Sequence, residues 1–249
     1  MPQAIRFSRV RPPSSICNQS FPHRNERIFR LSANPRRKSL APVPDTLTLP
    51  SLQAAAKTCK ACDLWKNATQ TVFGEGPAKA RVMFIGEQPG DSEDRAGHPF
   101  IGPAGHLLDE VLEEVGIDRS EVYITNVVKH FKWEAAQRGK RRIHKKPRQS
   151  EIEACRPWLD SELRVVKPEV VVCLGASAAQ ALLGKQFRVT RDRGKLIPSN
   201  LAPSVMATTH PASILRAPDS AQREQQRAEF DRDMKKLADL LRGKFPKAS

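Results

Sequence analysis

Four short runs in this chain are apolar almost without interruption: Arg81–Gly86, Val122–Asn126, Val170–Gly175 and Val205–His210. None alternates apolar with polar residues, so each reads as a strand buried on both faces, as in a parallel sheet. The stretches between them have helical spacing. Ser51–Cys59 is a short helix candidate, and Gly105–Val115 puts Leu107, Leu108, Val111, Leu112 and Val115 on one stripe before Gly116 stops it. Further helices are expected at Gln149–Val165, at Ala176–Leu183 and over the charged amphipathic residues 219–242. The segment between Asn126 and Gln149 reads as a loop. Strands alternating with helices predict an α/β fold, a parallel sheet layered between helices as α/β/α. Ligands of such sheets bind beyond the carboxyl ends of the strands, and Gly86-Glu87, Asn126 and His210 all fall there, after three different strands.

Composition narrows the partner. The 249 residues suffice for one sizeable domain plus a tail, and the formal net charge is +15. Residues 1–44 hold nine Lys or Arg against one acid, Glu26, so +8 of that excess lies there and +7 in the rest. A chain this basic suits an acidic polymer. Residues 1–45, rich in Arg, Ser and Pro, are expected to be a disordered basic arm, with an organellar transit peptide as the other reading of the same composition. Residues 46–249 are expected to form the folded domain. With no apolar leader near the start, the five cysteines do not point to a secreted disulfide framework. No stretch approaches the roughly 20 apolar residues of a membrane span. The expected setting is cytoplasmic, bacterial-type and nucleoid-associated, as a monomer without membrane attachment.

The run Gly139-Lys-Arg-Arg-Ile-His-Lys-Lys-Pro-Arg148 sets one imidazole among six cations. Lys140, Arg141, Arg142, Lys145 and Lys146 are candidate contacts to a phosphate backbone, Arg142 having as its other reading a lock of the loop onto its surroundings, and Ile143 is expected to anchor the loop in an apolar pocket. Neighbouring cations disfavour imidazolium, so His144 is expected to be neutral at physiological pH, with a lone pair free for nucleophilic attack. Taken alone, such a run is more often a solvated basic loop.

Cys59-Lys-Ala-Cys62 is a turn that aims two thiolates at one point, usually for a metal. Cys155 and Cys173 would complete four ligands, although Cys173, within Val-Val-Val-Cys-Leu, also fits a small buried hydrophobe. Cys17 lies in the arm. Spacing alone leaves zinc and an iron–sulfur cluster equally open.

Taken together, Gly86-Glu-Gln-Pro-Gly90-Asp91, Glu93-Asp94, Gly97-His-Pro-Phe100-Ile-Gly-Pro-Ala-Gly105, Asn126 and His210-Pro211 resemble the family 4 uracil-DNA glycosylases over about residues 51–242. The Lys-Arg-Arg-Ile-His insertion, with Gln88 inside Gly-Glu-Gln-Pro-Gly, resembles their UdgX subgroup. This resemblance implies a four-stranded parallel sheet between helices and a 4Fe-4S cluster on Cys59, Cys62, Cys155 and Cys173. It also implies recognition of uracil flipped out of DNA, single strands preferred. The UdgX pattern further implies a suicide outcome, in which the basic-loop histidine bonds to deoxyribose C1′ after uracil leaves. The gap between the second and third cysteines is longer than in the family, partly through the basic loop.

Breaking the N-glycosidic bond leaves positive charge on the sugar and negative charge on uracil. Under the resemblance Glu87 takes the electrostatic or proton-accepting role beside the sugar, Gln88 a positioning one, and Asp91 is a secondary catalytic candidate. His210 would donate to uracil O2, Asn126 would read the base edge, Phe100 would stack on the base and Gly86 would line its site. Each has a plainer reading alone: a His-Pro pair is often structural, a strand-end Asn a turn residue, a Phe core. His98 and His130 read as ordinary loop or packing residues. Three functions are thus in play: covalent capture of uracil-DNA through His144, conventional excision over many turnovers, and a non-catalytic, metal-stabilised nucleic-acid-binding module.

Overall fold

The computed structural model describes residues 40–136 and 142–243. In chain order these form α1 (Leu49–Ala56), β1 (Val82–Gly86), α2 (Asp91–Ala96), α3 (Pro103–Glu114) and β2 (Val122–Asn126). A hairpin of β3 (Trp133–Ala135) and β4 (Arg142–His144) follows, then α4 (Gln149–Val166), β5 (Val170–Leu174) and α5 (Gly175–Leu183). The described chain closes with α6 (Val189–Asp192), β6 (Ser204–Thr208), α7 (Pro211–Leu215) and α8 (Ser220–Leu241).

β1, β2, β5 and β6 make one parallel sheet in the order β2-β1-β5-β6. Every residue of these strands is buried, which is why none shows alternation in the sequence. Successive side chains go to opposite faces. Met83, Ile85, Tyr123, Val171 and Ala207 pack with residues of α1, α4 and α5, while Phe84, Ile124, Val172, Leu174 and Met206 pack with α3, α7 and α8. This is the expected α/β/α arrangement about four parallel strands. The chain leaves β1 toward one edge of the sheet and β5 toward the other, so the loops after these adjacent strands diverge and open a crevice at their carboxyl ends.

Several elements differ from expectation for local reasons. α1 starts at Leu49 because Thr48 caps it, accepting from Ser51 N at 3.2 Å while Ser51 Oγ accepts from Thr48 N at 3.1 Å; it ends before Cys59. α2, with the sequence Asp-Ser-Glu-Asp-Arg-Ala, has no apolar stripe to announce it. The basic segment is a strand at Arg142–His144, paired antiparallel with Trp133–Ala135, and not the loop expected there. Lys140 and Arg141 lie outside the described residues, as do residues 1–39 of the arm with Cys17. Ala41 is buried and donates its N–H to Ala154 O at 2.9 Å. Among the described residues no helix is long and apolar enough to cross a membrane.

Candidate active site

A cavity of about 610 Å³ opens in the crevice, walled by Glu87, Gln88, Phe100, Asn126, His144 and His210 among others. Residues from five separate stretches of sequence thus meet because three parallel strands, one hairpin and one turn all end at the same edge.

One half of the cavity is shaped for a flat polar ring. Asn126 ends β2 opposite Gly86 of β1, is 2% exposed, and its buried Oδ1 has no hydrogen-bond partner among the described residues. Such an orphan acceptor is costly unless a ligand satisfies it. A Cβ on Gly86 would sit 2.4 Å from that oxygen and 2.7 Å from Phe100 Cζ, so glycine keeps the slot between them open. Phe100 adopts φ 56°, and a Cβ on Gly105 would lie 1.6 Å from its carbonyl oxygen. The Phe100 ring stacks toward His210, centroids 5.8 Å apart at 26°. His210 caps α7: its Nδ1 accepts from Ala212 N at 3.1 Å, so the ring proton lies on Nε2. Burial, then Arg216 and His144, push its pKa down to about 4, leaving a neutral N–H donor at physiological pH.

The other half gathers Glu87, Gln88 and His144. Gln88 Oε1 accepts from Lys132 N at 3.1 Å, which fixes the orientation of its amide. Its Nε2 then faces Lys132 O at 3.2 Å, Lys145 O at 3.1 Å and His144 Nε2 at 2.8 Å. A donor at that position marks His144 Nε2 as the lone-pair nitrogen, with the proton on Nδ1. Glu87 Oε1 lies 3.7 Å from the same nitrogen, beyond a hydrogen bond but close in charge. The expected depression of the His144 pKa is present, but its cause differs. Burial comes first, Glu87 opposes it, and the cation that adds to it is Arg216.

Arg142, expected on a phosphate, is turned inward with its side chain only 9% exposed. Its guanidinium binds Asp91, reaches Asp94 Oδ2 at 2.6 Å and lies over the Phe131 and Trp133 rings. It is a lock for the hairpin, which corrects its assignment as a DNA contact. Asp91 is correspondingly committed to Arg142 and Arg95; burial pushes its carboxyl up, but these two cations outweigh that and hold it below the usual range. Ile143 is 44% exposed and does not anchor the loop; the anchors are Arg142 and Trp133, whose Nε1 donates to Asn67 O at 2.8 Å. Lys145 pairs with Glu134 at 2.9 Å, and Lys146 is exposed. His98 pairs with Glu75 and His130 with Thr71, away from the cavity. The sequence reading missed Arg216 and Leu215 on the cavity wall; their signal was their position five and six residues after His210 on the turn that His210 caps.

Cys59, Cys155 and Cys173 are free thiols buried in the core on the α4 face of the sheet, with Cys62 packed against it. Lys129 N donates to Cys155 Sγ and Trp158 Nε1 to Cys59 Sγ, each at 3.3 Å. An all-sulfur donor set receiving N–H bonds fits a thiolate-ligated cluster. Among the described residues no group of three or more metal-ligating side chains converges on a single ion. Cys59 and Cys62 act electrostatically on Cys155, whereas Cys173, between Ile85 and Ala207, is raised to about 12 by burial alone.

A parallel sheet with an aromatic slot, an unsatisfied buried amide oxygen and a histidine donor at one edge is an α/β protein whose site suits a flat polar ring. Residues 73–236 match the uracil DNA glycosylase superfamily, and the chain belongs to it. It is 34% identical over 201 residues to a type-4 uracil-DNA glycosylase of Sulfurisphaera tokodaii, covering 78% of this chain and 84% of that protein. Identity to the type-4 enzyme of Archaeoglobus fulgidus is 37% over 203 residues, covering 76% and 91%. For that of Thermotoga maritima it is 40% over 161 residues, covering 64% and 79%.

Proposed function

We propose that this protein excises uracil from DNA, single strands preferred, and is captured by its own product through a bond from His144 to deoxyribose C1′. The supporting observation is the pair of contacts at His144 Nε2: the Gln88 donor that marks the lone-pair nitrogen, and Glu87 3.7 Å away. A flipped uracil would stack on Phe100, give its N3–H to Asn126 Oδ1 and present O2 to His210 Nε2–H. As the C1′–N1 bond breaks, its electron pair goes to uracil, whose O2 is stabilised by His210, and C1′ becomes an oxocarbenium ion beside the Glu87 carboxylate. The His144 lone pair then forms the C1′–N bond. The Nδ1 proton leaves to solvent, and the uracil anion takes up a proton from solvent. Before capture one Gln88 N–H faces His144 and the other a carbonyl; once His144 is bonded to C1′, the first N–H can turn to the remaining carbonyl, since Lys132 O and Lys145 O both lie within 3.2 Å of Nε2. A preplaced imidazole outcompetes water by effective concentrations of about 10⁵ M or more.

Cys59, Cys62, Cys155 and Cys173 would hold a 4Fe-4S cluster, whose contribution is structural cross-linking of the 59–62 turn to α4 and β5. The protein acts as a cytoplasmic monomer in this reading.

The test is a denaturing gel of the protein with uracil-containing oligonucleotide. A shifted band with uracil DNA, none with thymine DNA and none for His144→Ser is expected. A band that persists in His144→Ser overturns the assigned nucleophile. The names of the type-4 relatives favour a second reading, ordinary turnover; with DNA in excess, free uracil beyond one equivalent per protein would establish it.

A further inference from the structure

The Glu87–Gly90 loop and the Phe100–Gly102 loop hold opposite halves of the cavity, and a single carboxylate joins them. Glu93 Oε2 accepts from Gly90 N at 3.1 Å, and Glu93 Oε1 accepts from Gly102 N at 3.0 Å. Gly90 precedes α2 and Gly102 precedes α3, so one side chain satisfies the leading amides of two helices at once. Both glycines leave room for it: a Cβ on Gly90 would lie 2.5 Å from Oε2, and one on Gly102 3.0 Å from Oε1, so a side chain at either position would push the carboxylate from its place.

We propose that Glu93 is a positioning residue that sets the distance between the sugar-side carboxylate loop and the base-stacking loop. It rests on the excision reading above but not on covalent capture. Glu93 lines the cavity, yet both its oxygens are committed to backbone amides, so it acts through the loops it ties. Uracil stacked on Phe100 has its glycosidic bond delivered to Glu87 only while the two loops keep register, and a misplacement of about 1 Å is enough to slow chemistry roughly 100-fold.

The experiment measures uracil release with protein in excess over labelled DNA, at increasing protein, for wild type, Glu93→Gln and Glu93→Asp. Gln keeps the size but sets an NH2 against one of the two amides. Asp keeps the charge but is one methylene too short to span both. In each, the maximal rate should fall about 10- to 100-fold while the half-saturating protein concentration stays within about 2-fold. Loss of folded protein would do the reverse, raising the half-saturating concentration and leaving the maximal rate intact. An unchanged maximal rate in Glu93→Gln overturns the proposal. So does full recovery in Glu93→Asp, which would assign the effect to charge alone. Wild type that releases no uracil refutes the excision reading instead, and wild type that releases uracil without an adduct refutes only capture.

Discussion

Two histidines in opposite halves of the cavity are held neutral, in opposite tautomers. His210 keeps its proton on Nε2 because Ala212 N occupies Nδ1, and His144 keeps Nε2 bare because Gln88 donates there. Burial lowers both pKa values, His210 to about 4 and His144 to below its ordinary 6.5. Adduct formation should therefore be flat between pH 7 and 8 and fall as the pH drops through the depressed His144 midpoint. Uracil release should continue nearer to pH 4, since a protonated His210 still donates. A gel assay and a uracil-release assay across the same buffers check this, and parallel loss of both above pH 6.5 would contradict it. The sign for stability is the same. Both imidazoles bind protons less readily folded than unfolded, so stability present above about pH 6.5 drains away as the pH falls toward 4. A lower melting temperature at pH 5 than at pH 7 is expected. Gly86 acts by what it lacks: Gly86→Ala would drive a methyl into Asn126 Oδ1 and the Phe100 ring, so excision should drop about 100-fold and the overpacking of about 1–3 kcal/mol should lower the melting temperature by several degrees.

Among the elements, the hairpin shows best what could be read in advance and what could not. The four sheet strands were legible because a doubly buried strand must be continuously apolar, and Val122–Asn126 was placed to the residue. Nothing comparable marks β3 and β4, whose side chains are half-buried or exposed. What holds β4 is one inward-facing arginine, and the sequence offered Arg142 equally as a lock of the loop or a phosphate contact without deciding between them. Asp94, its partner, is 0% exposed, so removing the guanidinium leaves a buried carboxylate without its counter-ion, hydrogen-bonded by the Thr69 N–H alone among the described residues. Breaking such a pair costs about 3–5 kcal/mol locally. Arg142→Ala should accordingly release the hairpin and carry His144 out of place. Adduct yield should fall more than about 10-fold, with uracil release by Glu87, Asn126 and His210 within a few-fold of wild type. Equal losses in both assays would show that the hairpin also shapes the excision site.

Across the whole molecule, charge and topology divide the work. The sheet order puts the cavity at the divergence of β1 and β5, a position that alternating strands and helices already implied. Which residues face inward there was readable only where a motif named them: Glu87, Asn126 and His210 were given roles and Glu93 was named without one, whereas Arg216 depends on a turn geometry that no periodicity encodes. The basic excess, by contrast, acts without fixed geometry. Lys145 is 44% exposed and, among the described residues, its ammonium is tied to Glu134, itself 68% exposed, a surface pair worth about 1 kcal/mol at most. Lys145 can exchange that partner for a phosphate at little cost, and Lys146 is exposed beside it. Each phosphate neutralised on a single strand steepens the logarithmic salt dependence of binding by about 0.7. Changing both lysines to alanine should therefore flatten the slope by about 1.4 and weaken uracil and thymine oligonucleotides by the same factor. Capture at saturating DNA should stay as fast as in wild type, because neither side chain bears on the His144 lone pair. Fluorescence anisotropy over a salt series gives the slope, and a loss confined to uracil DNA would move these lysines from the phosphate backbone to the base.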